Sequence, residues 1–258
     1  MNPDKTYTLY FNNQWLEAGQ IDHAFLDDTM HFSNGVSEEL RSYEFHGEAH
    51  IFKAFQHFQR LIQEADKRGL NISMEVHKFV GLAYDLLRRN KLNNATIHAL
   101  IYPKNGKARI VLSAKSAASF DVRENLEVSS EPISDHKLET DYEGMIISSP
   151  SNPFFFIKDD VLYSPSIEKD VQPSFMRDAV IECAIALGYP VIEKSICIDE
   201  LEGSDVAFFS SATEALSLVK NIDNYSFSED WRETIAMDLF LMLRQQVTNE
   251  DFWNHSII

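Results

Sequence analysis

An α+β chain folded in two units is predicted by three observations. Short runs rich in Val, Ile, Phe and Tyr alternate apolar and polar residues, the period of half-buried strands. Four longer runs repeat their apolar residues at helical spacing. Between the two halves the pattern lapses into a polar, charged stretch that begins near residue 120. With 258 residues, 44% of them hydrophobic, there is apolar material for a core in each of two modest units.

Taken in order, "TYTLYFNNQWLEA" reads as an opening hairpin around Asn12-Asn13. "GVSEELRSYEFHGEAHIF" reads as a strand, a turn at His46-Gly47 and the entry to a helix. That helix, "HIFKAFQHFQRLIQEADKRG", aligns Ile51, Phe52, Phe55, Phe58, Ile62 and Ala65 on one stripe, and Gly69 ends it. A second helix follows Ser73, with Val76, Phe79, Val80, Ala83 and Leu87 inward. "ATIHALIYP" and "ARIVLSAKSA" are strands joined by the turn "KNGK". Residues 119–144 look like an inter-domain connection, with one strand-like piece at Leu126–Ser129. This places an N-terminal domain at 1–118, a linker at 119–124 and a C-terminal domain at 125–258. Beyond it, "NPFFFIKDDVLYSP" is a hairpin turning at Asp159-Asp160. "SFMRDAVIECAIALGYP" is a helix capped by Ser174 and stopped by Gly188. "VIEKSICIDELEGSDVAFFSS" gives strand, short helix, strand. The last element, "SEDWRETIAMDLFLMLRQQ", is a helix capped by Ser228 with Trp231, Ile235, Leu239 and Met242 inward.

A net charge of −17 repels phosphate backbones and anionic headgroups, so no nucleic-acid and no membrane role is expected. The N-terminus has no basic start or apolar core, and a cytoplasmic protein is the expectation. Cys183 and Cys197 sit in apolar patterns and read as small buried residues rather than a disulfide framework. The nine histidines offer no metal pair; His57 suits packing or hydrogen bonding.

Several segments, in order, resemble the class IV aminotransferases, which are fold-type IV enzymes dependent on pyridoxal 5'-phosphate (PLP) and include the aminodeoxychorismate lyases. "SNGVSEELR" is similar to the family's Gly-Asp-Gly-Val-Phe-Glu strand, and "FKAFQHFQRL" to its Phe-x-x-x-x-His-x-x-Arg-Leu helix. "NKLNNATIHALIYP", "SNPFFFIKDDVLYSP", "SFMRDAVIECAIALGYPVIEK" and "LEGSDVAFFSSATEAL" resemble later family segments. The resemblance implies a two-domain D-amino-acid-aminotransferase-like architecture with a barrel-like C-terminal domain, a homodimer, and an amino or keto acid as substrate if the chain is active.

It also implies site residues. Arg60 takes the position of the family's phosphate arginine, and Ser174-Phe175 and Ser211-Ala212 those of its two phosphate turns. At the first turn a serine replaces the family's glycine. Ser148 stands where a glutamate would hold the pyridine nitrogen protonated; a hydroxyl can hydrogen-bond that nitrogen but cannot keep its proton. The family's Schiff-base lysine opens a helix that leads to an Asp-x-x-Gly turn. Here "TDYEG" matches the turn, but only "EPISDHKLE" separates it from the preceding strand. Lys137 is then either a displaced catalytic lysine or a surface residue, and the deletion favours the surface; Lys115 is a weaker substitute. Three functions follow: a family member with transaminase chemistry impaired or lost that still binds PLP or another phosphate-bearing small molecule in the inter-domain cleft; an active aminotransferase or lyase using Lys137; or a non-catalytic dimeric interaction protein.

Overall fold

The structure is a computed structural model that describes residues 7–17, 34–129, 138–149, 151–167 and 174–248. They form two compact units, one reaching Ser119 and the other spanning Phe120–Gln246.

The first unit is a six-stranded antiparallel sheet with two helices. Its strands are β1 (Thr8–Phe11), β2 (Gln14–Glu17), β3 (Val36–Phe45), β4 (Glu48–Ile51), β5 (Ala95–Lys104) and β6 (Lys107–Ser116), in the order β2-β1-β6-β5-β3-β4. The hairpins close where the sequence places them. Asn12-Asn13, His46-Gly47 and Asn105-Gly106 all take positive φ, the conformation a two-residue hairpin demands. The helices are α1 (Ala54–Lys67) and α2 (Val76–Asn90). They bury Phe58, Leu61, Ala65, Phe79, Ala83 and Leu86 with Leu40, Ile97, Ala99 and Leu112 from one face of the sheet. Gly35 is required by a close approach: a Cβ there would stand 2.6 Å from the carbonyl oxygen of Ile101.

One boundary corrects the sequence pattern. The stretch expected to enter α1 is strand β4, paired with β3 from Ser42↔Ile51 to Phe45↔Glu48. The helix starts only after Lys53, whose φ of 45° turns the chain. Its buried residues are accordingly Ala54, His57, Phe58, Leu61 and Ala65, whereas Phe55 and Ile62 are only partly buried. The second helix is likewise preceded directly by Glu75, two residues beyond the serine expected to open it.

The second unit contains β7 (Val122–Val128), β8 (Phe154–Lys158), β9 (Val161–Pro165), β10 (Val191–Lys194), β11 (Val206–Phe209), β12 (Leu216–Ile222) and β13 (Tyr225–Ser226). The order is β10-β9-β8-β11-β12-β13, with β7 also parallel to β12. Part of the polar stretch expected to be connection, Val122–Val128, is thus a strand, longer than the Leu126–Ser129 piece the sequence suggested. It hid because Arg123, Glu124, Asn125 and Glu127, more than half of its residues, are charged or amide, and Asn125 breaks the alternation at φ 62°. Helices α3 (Phe175–Leu187) and α4 (Ile235–Gln246) complete the unit and pack on each other. α3 has the caps its sequence signals: Ser174 Oγ accepts the Arg177 N–H, and Gly188 ends it at φ 84°. The final helix is shorter than expected. A single 3-10 turn at Trp231–Glu233 precedes it, Thr234 is extended, and Leu243 rather than Met242 is buried. Cys183 is buried and donates to Gln246 Oε1 at 2.7 Å, while Cys197 is only half-buried and caps a short 3-10 helix. No helix among the described residues is long and apolar enough to cross a membrane.

Candidate active site

In the first unit, Val36, Glu38 and Leu40 share a parity on β3, and Val36 and Leu40 belong to the helix-covered core. That parity puts a carboxylate beneath α1. His57 and Arg60, three apart, lie on the same side of α1 and both reach it. His57 Nδ1 is 2.6 Å from Glu38 Oε1; Arg60 Nε donates to Oε2 at 3.2 Å and its Nη2 donates to Oε1. The side chains are 10% (His57), 8% (Glu38) and 21% (Arg60) exposed, so the cluster is nearly dry. The family-type arginine is therefore held by a carboxylate rather than solvated. His57 has the hydrogen-bonding role its sequence suggested. Glu38 was not singled out, although a polar residue in step with Val36 and Leu40 was the available signal.

The cluster sets a pH dependence. Burial alone would raise the Glu38 carboxyl, but the hydrogen bonds and charges of His57 and Arg60 outweigh it and hold it below its ordinary value. Burial likewise pushes the His57 imidazole below its usual range, against the pull of Glu38. Both depressions mean that the unfolded chain takes up the proton first on acidification. The His57 contribution is lost as pH falls below about 6.5, and the Glu38 contribution as pH falls below about 4.5. The urea midpoint of the wild type should fall more steeply between pH 7.5 and 5.5 than that of His57→Gln. Parallel curves for the two proteins would remove His57 from this account.

In the second unit the topology gathers the other predicted residues at one end of the sheet. β8 runs antiparallel to β9 and β11, with Phe209 opposite Phe154, and β10 runs parallel to β9. The start of β8 and the ends of β9, β10 and β11 therefore share an edge. Ser148 reaches it by accepting the Phe154 N–H at 3.1 Å. Ser211 follows Ser210, whose N–H donates to Pro153 O at 3.1 Å. Ser174-Phe175 arrives with α3, whose buried Arg177 donates to Pro165 O at 3.0 Å and to Glu193 at 2.7 Å.

Both turns are internally capped. The Ser174 hydroxyl takes the Arg177 N–H at 3.3 Å; Ser211 Oγ takes those of Thr213 at 3.3 Å and Glu214 at 3.0 Å. Ser174 has φ −87° and ψ 119°, ordinary extended values, so the serine in place of the family's glycine is unstrained. Ala212 is half-buried beside Ser211. Arg60 belongs to the first unit.

Lys137 lies outside the described residues. Lys115 is exposed on β6. The described lysines of the second unit are engaged: Lys158 donates to Glu202 O at 2.6 Å, Lys194 pairs with Glu200, and Lys220 lies 3.6 Å from Glu229. The Asp-x-x-Gly turn is formed as its residues suggest. Asp141 Oδ1 accepts the N–H groups of Glu143 and Met145, and Gly144 takes φ 81°. Among the described residues no group of three or more His, Cys, Asp or Glu side chains could hold a metal ion.

The family model of amino-transferase class IV matches residues 134–222. A branched-chain-amino-acid aminotransferase of Escherichia coli (strain K12) is 22% identical over 89% of this chain and 89% of its own. A probable branched-chain-amino-acid aminotransferase of Rickettsia bellii is 23% identical, covering 77% of this chain and 81% of its own. In structure, the branched-chain aminotransferase of the archaeon Thermoproteus uzoniensis, with norvaline, superposes with TM-score 0.79 at 18% identity, covering 96% of this chain and 98% of that one. The branched-chain amino acid aminotransferase of Thermobaculum terrenum in its PLP form gives a TM-score of 0.77 at 20% identity over 96% of each chain. The fold is that of the fold-type IV enzymes.

Proposed function

We propose that this chain, which belongs by sequence and fold to the class IV aminotransferase family, binds PLP or another phosphate-bearing small molecule and has impaired or lost transaminase chemistry. The residues present fit one end of such a cofactor and not the other. A guanidinium held in a nearly dry cluster suits a phosphate group, while the two turns give the N–H groups of Arg177, Thr213 and Glu214 to their own serines. A ring nitrogen asks for a carboxylate, and what supports the proposal is the residue that the resemblance puts at that position. Ser148 is a hydroxyl whose oxygen accepts the Phe154 N–H, which leaves its O–H proton to donate. An O–H donor favours an unprotonated ring nitrogen. When bound, PLP supplies an electron sink, and it is a poorer one without that ring proton. On this reading Arg60 in the first unit, and the turns at Ser174-Phe175 and Ser211-Ala212 in the second, are each candidates for phosphate contact, and Ser148 is the candidate for the ring nitrogen.

A second reading is favoured by the similarity to branched-chain aminotransferases: an active enzyme on amino and keto acids, with Lys137 as its lysine. One titration separates the two. Purified protein is mixed with PLP, read by visible absorbance, reduced with borohydride, and its peptides are weighed. The expected result is saturable PLP binding with no cofactor-modified lysine peptide. Stoichiometric labelling of Lys137, with activity abolished by Lys137→Ala, would instead establish the enzyme.

A further inference from the structure

Arginine is a flexible side chain with many rotamers, and a phosphate that must order it binds more weakly than one that meets it already placed. In this chain Arg60 is placed by protein groups. Glu38 takes its Nε and Nη2 edge, which fixes the plane of the guanidinium as well as its position. Glu38 is fixed in turn. It sits on the helix-facing side of a strand paired along most of its length, and His57 donates to the same Oε1 from one turn earlier on α1. The three groups belong to two elements packed together, β3 and α1, so no flexible loop intervenes. A carboxylate in this place also withdraws net positive charge from the arginine, so an electrostatic view taken alone assigns it the opposite effect on anion affinity. The positive charge of Lys53, buried at the start of α1 and felt at His57, works against that loss.

We propose that Glu38 and His57 are positioning residues for phosphate recognition: the carboxylate braces Arg60 in one orientation, and His57 holds the carboxylate. This rests on the assignment of Arg60 as the phosphate arginine made above. Neither residue need touch the ligand. Their effect is on the phosphate's share of binding, and pyridoxal, which lacks the phosphate, does not report it.

The test compares the affinities of PLP and pyridoxal, measured by equilibrium absorbance or fluorescence titration, in five proteins: wild type, Arg60→Met, Glu38→Gln, His57→Leu and His57→Gln. The wild type should prefer PLP over pyridoxal, and Arg60→Met should collapse that preference. Glu38→Gln should reduce it about tenfold, the scale of losing one ordered side chain, with pyridoxal affinity unchanged. His57→Leu should reduce it in the same sense, and His57→Gln, which keeps an N–H for the carboxylate, should restore most of it. A merely structural role for His57 would not separate Leu from Gln in the PLP-to-pyridoxal ratio. Should Glu38→Gln fail to fold, that pair still decides.

If Arg60→Met leaves the ratio unchanged, the phosphate assignment fails and the positioning role with it. If Arg60→Met collapses the ratio while Glu38→Gln leaves it unchanged or raises it, and His57→Leu matches His57→Gln, the assignment stands and the positioning proposal is overturned.

Discussion

Phe208→Ala should lower the unfolding free energy of the second unit by roughly 3–5 kcal/mol, the usual cost of a vacated aromatic site in a core. Phe208 is fully buried in the middle of β11 and stacks on Phe155 of β8, with ring centroids 5.2 Å apart and planes 18° from parallel. The two rings lie on the opposite side of the sheet from Phe154, Phe156, Ala207 and Phe209, which belong to the other core. Truncation removes both the transfer free energy of the ring and the stacked contact. β11 and β8 are hydrogen-bonded neighbours and cannot close the gap without breaking their ladder. Phe208→Leu retains most of the volume and should cost less than about 1.5 kcal/mol. Urea denaturation followed by circular dichroism measures both, and a Phe208→Ala loss below about 1 kcal/mol would mean that this layer repacks.

Arg177→Met should cost about 2–4 kcal/mol, again in the second unit. Arg177 is 4% exposed on the first turn of α3. It donates to a strand-end carbonyl, Pro165 O, and to the Glu193 carboxylate. Methionine keeps much of the volume but leaves that carbonyl without its donor. Glu193 is half-exposed and rehydrates, so Glu193→Gln should cost no more than about 1 kcal/mol. The asymmetry is the check: equal losses from the two variants would mean that the ion pair matters more than the bond to the backbone. The same guanidinium ties the start of α3 to the sheet edge, so if the proposed phosphate role of the Ser174-Phe175 turn holds, PLP affinity should fall in Arg177→Met even where it remains folded.

Much of this architecture was legible because its turns are written in residues that tolerate positive φ. Asn12-Asn13, Asn105-Gly106 and Asp159-Asp160 each close a hairpin where the apolar alternation stops. Helix starts were less legible. β4 carries Ala49 and Ile51 in a pattern that continues smoothly into α1, and the break comes from Lys53 in a left-handed conformation, for which lysine carries no signal. β7 was concealed by its charges. Arg60 and the two serine turns are proposed for a phosphate only through resemblance, since nothing in a lone arginine or a Ser-Ser pair announces phosphate. Glu38 was missed because its partners are about twenty residues away in sequence and meet it only once α1 folds back over the sheet.

The parallel pairing of β7 with β12 also orders events during synthesis. Val122 finds its partner at Leu216, so β7 emerges from the ribosome well before the strand it pairs with exists. At ordinary elongation rates that interval is roughly 5–20 s. The first unit has a comparable wait, since Tyr10 of β1 pairs with Leu112 of β6, although β1 is already paired with β2 in a hairpin. A strand left waiting is exposed to pairing with the wrong neighbour, and one written Val-Arg-Glu-Asn-Leu-Glu-Val, with three charges and a bulge, is poorly suited to aggregate. The polarity that made β7 look like a linker thus doubles as protection for a nascent chain.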